Sequence, residues 1–279
     1  MPKILVTGGT GVLGRVVAHS FLSKRIDFTL GSRHRVSDDN QATNQLNHHW
    51  KPMDLNSRES IVRCCTDEID TVLHLASDFR KINGQPADII CTKNLLNVVQ
   101  KTNVNHLVYV SIVGVDRIPL SYYRTKLDCE RLIEKSGIPF TILRATQFHD
   151  FVEFVLGRLL SFPIGIVPYA LKVQPIQVEA VAAELFKIIH GLPQKAIIEL
   201  GGKEIFHFKQ ITDSLLKARH QNNKRILNFP VIGAVMKGFA HGHNTCKSIS
   251  SLSNTWEQYL NDRYDEKGFE RRPIANYYR

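Results

Sequence analysis

The sequence predicts an α/β protein: a doubly wound parallel sheet followed by a smaller, mostly helical C-terminal lobe. Three observations carry that prediction. Short apolar runs, beginning with Ile4-Leu5-Val6, alternate with longer segments whose apolar residues recur at helical spacing. A glycine-rich turn, Gly8-Gly9-Thr10-Gly11-Val12-Leu13-Gly14, joins the first strand to the first helix. After Asp150 the alternation gives way to helices separated by short strand-like pieces and by Pro163, Pro168, Pro175, Pro193 and Pro230. The boundary is placed there, with a sheet domain over 1–150 and a lobe over 151–279 interleaved with the last sheet strands.

At 279 residues, 43% hydrophobic and 22% charged, the chain can bury one large core with a lobe attached. No apolar run approaches the roughly 20 residues of a membrane span. The opening Met-Pro-Lys-Ile-Leu-Val lacks a signal-peptide layout, so the expectation is a cytoplasmic protein without a membrane partner. The five cysteines (Cys64, Cys65, Cys91, Cys129, Cys246) have neither disulfide nor metal spacing and read as reduced thiols. The pairs His48-His49 and His241/His243 lack companion ligands, so no metal is expected. The net charge of +10 is unusual, but the basic residues are dispersed rather than interleaved with aromatics, which argues against nucleic acid.

Ile4-Leu5-Val6 shows no polar alternation, the mark of a strand buried on both faces. Val12, Leu13, Val16, Val17 and Phe21 give the next helix its apolar face. The turn between them needs glycine because its backbone must adopt φ values that a Cβ penalises and must approach an anion closely. Free N–H groups and the positive dipole end of the helix complete an anion site. The anion that suits this arrangement is the pyrophosphate of a dinucleotide, held by Gly8, Thr10, Gly11, Val12 and Leu13 in a Rossmann-type fold. The spacing Gly8-x2-Gly11-x2-Gly14 departs from the Gly-x-Gly-x2-Gly of two-domain dehydrogenases.

Residues 27–31 read as the second strand, ending in Ser32-Arg33-His34-Arg35. An enzyme using NAD would present Asp or Glu there to the ribose hydroxyls. This chain offers Ser32 and Arg33 instead, which suit a 2′-phosphate and favour NADP(H) over NAD(H). Residues 36–47 read as a polar loop and 49–53 as the third strand. Asp54, followed by Leu55, is either an adenine contact or part of the cap of a helix starting near Ser57. Residues 70–77 form the fourth strand, whose small end residues Ala76 and Ser77 would let a ribose pass close to the backbone. A helix follows over 86–102, then a fifth strand over 106–111 ending in Ser111.

Ser121-Tyr122-Tyr123-Arg124-Thr125-Lys126 opens a helix in which Tyr122 and Lys126 share a face. A lysine beside a phenol lowers its pKa, so Tyr122 is the candidate acid/base, with Lys126 also reaching the nicotinamide ribose. Ser111 would polarise a carbonyl oxygen. Tyr123, three residues before Lys126, competes for the role. Residues 138–143 form the sixth strand, and the segment after it, with Ala145, Thr146 and Phe148, should pass the nicotinamide. Gln147 and His149 are either substrate contacts or packing residues. In the lobe, helices are expected near 150–161, 178–190, 208–219, 230–240 and 253–261, with strand-like pieces at 173–177 and 196–200. The apolar stretch at 231–236 reads as a pocket lid or core helix rather than a membrane contact. The tail 271–279 reads as a mobile basic, aromatic segment.

With these residues assembled, the chain resembles the short-chain dehydrogenase/reductase superfamily, and within it the atypical NmrA-like NAD(P)-binding branch. The resemblance rests on Val6 to Gly14, on Val108-Tyr109-Val110-Ser111 and the residues after it, and on Tyr122-Tyr123-Arg124-Thr125-Lys126. It extends through Leu143-Arg144-Ala145-Thr146-Gln147-Phe148-His149-Asp150 and Gln174-Pro175-Ile176-Gln177-Val178. It implies strand order 3-2-1-4-5-6 and a bound dinucleotide. It also implies a tyrosine–lysine pair for hydride transfer to a small apolar carbonyl, enone or quinone. Some members of the branch bind the cofactor as redox sensors without turnover, so the alternative is an NADP(H)-binding regulatory protein with a protein partner. Such sensors commonly lack the tyrosine or lysine, and this sequence has both. Nucleotide-sugar epimerisation fits less well, because the lobe is small for a sugar nucleotide.

Overall fold

The computed structural model describes residues 3–36 and 41–271, with side chains 41–43 left out. The first half follows the expected alternation: β1 Ile4–Thr7, α1 Val12–Ser23, β2 Phe28–Ser32, α2 Gln41–His48, β3 Trp50–Pro52, α3 Arg58–Cys64 and β4 Thr71–His74. A hairpin of β5 Lys81–Ile82 and β6 Gln85–Pro86 leads into α4 Ala87–Val99. Then come β7 His106–Ile112, α5 Ser121–Glu134 and β8 Phe140–Ala145. The remainder is α6 His149–Leu159, β9 Gly165–Val167, β10 Lys172–Val173, α7 Val178–His190, β11 Ala196–Leu200, β12 Phe206–His207, α8 Phe208–Ala218, β13 Ile226–Asn228, α9 Gly233–Ala240 and α10 Trp256–Arg263.

Seven strands form one parallel sheet in the order β11-β8-β7-β4-β1-β2-β3. Counting the main strands along the chain, this is the implied 3-2-1-4-5-6, with β11 added at the edge. The chain runs outward from β1 in one direction to β3 and in the other from β4 to β11. The gap between β1 and β4 is therefore the switch point, where a ligand crevice opens beyond the carboxyl ends of the strands. All four residues of β1 and all four of β4 are buried, as strands covered on both faces must be.

The chain divides into two compact units, each assembled from three stretches of sequence. The first holds residues 1–111, 121–144 and 181–198; the second holds 112–120, 145–180 and 199–279. The first unit's core includes Leu5, Val72, Leu95, Leu107, Ile133 and Ile142. Within it, Arg144 on β8 donates from Nε to Glu130 Oε1 (3.0 Å) and from Nη2 to Oε2 (2.6 Å) on α5, both residues buried. The bidentate pair fixes the helix that carries Tyr122 and Lys126 to the sheet. Glu130→Ala should leave a buried guanidinium unpaired and lower unfolding free energy by about 3–5 kcal/mol. Chemical denaturation checks this, and adding Arg144→Met should recover much of the loss.

Several expectations are corrected. Residues 41–48 are helical, although only Leu46, fully buried, marks an apolar face among the described side chains of that polar segment. Asn47 holds its end by exchanging hydrogen bonds with the Val36 backbone. In the second unit, 173–177 is not one strand: β10 pairs antiparallel with β12, and Ile176 makes a single bridge to Phe148. Helix α9 is not a core helix, since Gly238 is its only buried residue and Ile232 before it is 61% exposed. Strands β9 and β13 were not foreseen. The tail 272–279 lies outside the described residues.

Candidate active site

The turn after β1 is built as its glycines require. Gly8 has φ +72°, and a Cβ there would sit 2.6 Å from the backbone N and Cα of Ala76. A Cβ on Gly14 would collide with the Gly8 carbonyl oxygen and the Gly9 backbone. Gly11 caps α1 in an extended conformation without a side-chain bond, and the first turn of the helix carries no acidic residue. The first N–H groups, on Val12 and Leu13, have no acceptor within the helix. Thr10 gives its carbonyl to Arg15 Nε (3.2 Å). These are the features of a cradle for a dinucleotide pyrophosphate, and the residues present fit that group.

The end of β2 departs from expectation in one respect. Ser32 is buried; its hydroxyl donates to the His34 carbonyl (2.7 Å) and accepts from Trp50 Nε1 (2.9 Å). Its single proton is committed to the turn, so it has none to give a phosphate. Arg33 is half exposed, with Nη2 3.7 Å from Asp78 Oδ2. Arg80 chelates the same carboxylate and holds its pKa down. Arg35 stacks on Trp50 at 4.9 Å. Of the two readings of Asp54, the structure gives the helix cap to Ser57, which accepts from Ser60 N (3.3 Å). Asp54 Oδ1 instead holds the backbone and side chain of Asn56 (3.0 and 3.1 Å). Leu55 lies in the first unit's core.

At the end of β4, Ser77 Oγ lies 2.7 Å from the Tyr122 hydroxyl and donates to Asp88 Oδ2 (3.0 Å). With Asp88 ionised, Ser77 donates to it and accepts from Tyr122; with Asp88 protonated both bonds reverse and the Tyr122 hydroxyl can donate outward. Asp88 is buried in the first turn of α4, its other oxygen accepting from Asp78 N. Sequence reasoning missed Asp88. The signal was Asn83-Gly84, a two-residue turn with φ of 49° and 80°, which closes the β5–β6 hairpin and returns the chain to Ser77. Ala87 N bonds the Arg80 carbonyl (2.9 Å) to complete that return.

Burial, more than any neighbouring charge, sets the shift of Tyr122. Burial raises the phenol above the usual tyrosine range, with the Ser77 bond opposing it in part. The lysine is buried with Nζ 4.3 Å from the Tyr109 ring centroid; burial lowers its pKa and Asp88 opposes that shift. Both side chains lie within electrostatic reach of Asp88, and no hydrogen bond joins the two among the described residues. Tyr123 is buried in the interior. Ser111 is buried at the end of β7, and its Oγ has no hydrogen-bond partner among the described residues.

Beneath these groups His74 bridges Thr7 Oγ1 (2.7 Å) and Thr92 Oγ1 (3.3 Å). Burial, with Lys126 nearby, lowers its pKa to about 3. A base depressed from about 6.5 when unfolded is neutral in the native state. Its contribution is complete above about pH 6.5 and is lost as pH falls towards 3, at about 1.4 kcal/mol per pH unit. His74→Gln should therefore take about one proton out of the pH dependence of unfolding between about pH 6 and 4. Denaturation curves across that range measure it.

The remaining residues lie in the second unit. Ala145 ends β8, Thr146 N bonds the Leu200 carbonyl (3.0 Å), and Phe148 bridges to Ile176 before α6. Thr146 Oγ1 is buried without a partner among the described residues. Gln147 accepts from Asn244 Nδ2 (3.4 Å). His149 is buried against Tyr259 and Trp256, its ring 5.0 and 5.9 Å from theirs, and burial lowers its pKa to about 4. The packing reading of His149 prevails over substrate contact.

A switch-point crevice with a glycine cradle at β1 defines a dinucleotide-binding α/β protein of the doubly wound class. The chain belongs to the NAD(P)H-binding family, whose match covers residues 8–156. Photosystem II assembly factor Ycf39 of Trieres chinensis is 30% identical over 174 residues, 58% of this chain and 51% of that protein. The chain thus spans about half the length of the curated relative it matches. Among solved structures, a nucleoside-diphosphate-sugar epimerase from Staphylococcus aureus superposes with TM-score 0.74 at 20% identity, covering 92% of this chain and 99% of that one. An NADPH-dependent quinone oxidoreductase of Escherichia coli, complexed with NADPH, gives 0.73 at 19% identity over 92% and 98%. At these identities the likeness is one of fold. No helix among the described residues is long and apolar enough to cross a membrane.

Proposed function

We propose that the protein is an NADPH-dependent reductase of small apolar carbonyls, enones or quinones, with Tyr122 as the proton donor. One observation carries this reading: a phenol held at the carboxyl edge of the sheet on a hydrogen-bonded chain, Tyr122–Ser77–Asp88. The bound cofactor supplies the hydride. Tyr122, a phenol that is protonated at neutral pH and that burial makes less acidic still, gives its proton to the substrate oxygen. Ser77 passes a proton to the phenolate and takes one from Asp88 in its carboxylic acid form, which a proton from solvent then restores. Burial raises the Asp88 pKa, and Lys126 opposes that shift. Lys126 steadies the carboxylate that the transfer leaves on Asp88, and Ser111 offers an uncommitted hydroxyl to a carbonyl oxygen. The ring of Phe79, 75% exposed and 4.2 Å from that of Tyr122, supplies the apolar surface for the acceptor.

NADP(H) preference rests on Arg33, since Ser32 is committed elsewhere. Arg33→Ala should weaken NADPH binding by about tenfold and change NADH binding less than about twofold, read by titration of nicotinamide fluorescence. Equal losses for both nucleotides would remove the 2′-phosphate role.

A second reading is a dinucleotide-binding protein without turnover that acts on a partner. The relative named as an assembly factor favours it. Oxidation of NADPH by any carbonyl or quinone, lost in Tyr122→Phe, decides between them.

A further inference from the structure

We propose that the second unit carries a docking surface for an anionic lipid bilayer, formed by the β9–β13 ribbon and the residues flanking it. The two strands are parallel, with Ile166 opposite Leu227. Side chains alternate along a strand, so Ile164 shares the outward side with Ile166, and Phe229 with Leu227. Val167, next along β9, is fully buried and fixes which side of that strand faces inward, while its register partner Asn228 at the end of β13 is exposed. Phe162 and Ile232 extend the outward row at its two ends. These six side chains are between 41% and 66% exposed, a concentration of large apolar residues that a surface without a partner rarely keeps.

Charge selects the occupant. The two stretches that contain the ribbon, 154–178 and 214–256, hold eight Lys or Arg and no Asp or Glu, one of the eight, Arg219, being paired with Glu153. Arg158, on the helix that packs on β9, and Arg225, whose carbonyl accepts from Gly165 N, are exposed beside the ribbon. Lys224 donates from Nζ to the Phe162 carbonyl (2.6 Å), tying the basic start of β13 to the loop before β9. A second copy of this chain would set like charge against like charge. A bilayer rich in acidic headgroups matches both properties: apolar side chains enter the boundary of the acyl region while lysine and arginine remain among the headgroups. A protein partner would need a shaped apolar pocket as well as acidic groups.

Flotation of the full chain tests this with vesicles of phosphatidylcholine alone and with about one-third phosphatidylserine. The expected result is at least about tenfold more protein on the anionic vesicles, falling as salt shortens the screening length. Ile166→Glu/Leu227→Glu should abolish that binding while leaving NADPH affinity unchanged. Leu227→Trp, milder for folding, should show a blue-shifted emission on the anionic vesicles only. Equal binding to both vesicles, binding to neither, or a dimer in solution that the double substitution dissolves would each overturn the proposal. So would capture of an acidic protein with no lipid binding.

Discussion

Gly8→Ala is expected to weaken dinucleotide binding by at least about 100-fold. Two penalties act together. Gly8 occupies a left-handed conformation at φ +72° that costs an alanine about 1–3 kcal/mol. The added methyl would also stand 2.6 Å from the Ala76 backbone, so the tip of β4 must move away from β1. That opens the switch point at the place where the cradle and the Ser77 end of the proton chain meet. Gly84→Ala is the matched control: φ is +80°, yet a Cβ there meets nothing within 4 Å. It should cost about 1 kcal/mol of stability and leave binding intact. Titration with NADPH, alongside melting curves of both variants, separates a lost site from a lost fold.

Tyr122→Phe is expected to lower turnover by about 10²–10⁴-fold while NADPH affinity stays within about twofold. The phenyl ring keeps its packing on Phe79, so the lost hydroxyl is the only change that chemistry can feel. Asp88→Asn tests the chain behind it. An amide cannot resupply the proton, so kcat should fall while KM changes little, and the decline of rate at rising pH should disappear. Ser77→Ala, which interrupts the chain between the two, should reproduce that profile. A pH profile unchanged in both would assign Asp88 and Ser77 to structure alone.

Much of this architecture was legible because a parallel sheet buried on both faces writes itself as short apolar runs, and β1, β4, β7 and β8 all stand close to where those runs lie. The cradle was legible because only glycine tolerates the geometry at Gly8 and Gly14. Contacts between residues distant in sequence were less so. The Tyr122–Lys126 spacing gives the shared face but not the partner; that partner, Ser77, is 45 residues away and arrives by strand pairing and the Asn83-Gly84 hairpin. Ser32 read as a phosphate ligand because the Trp50 indole that claims it comes from the neighbouring strand. The polar α2 escaped because one buried leucine cannot show a period. The apolar runs at β9 and β13 are short, and their outward residues follow no burial rule that a sequence reveals.

The most direct test of the central claim is a single-turnover measurement. Protein loaded with NADPH is mixed with quinones, enones and aldehydes while the nicotinamide absorbance is followed. Oxidation of the bound cofactor by at least one apolar acceptor, absent in Tyr122→Phe, is the result expected of a reductase. Cofactor that binds tightly and stays reduced with every acceptor would contradict it and leave the non-catalytic reading in its place.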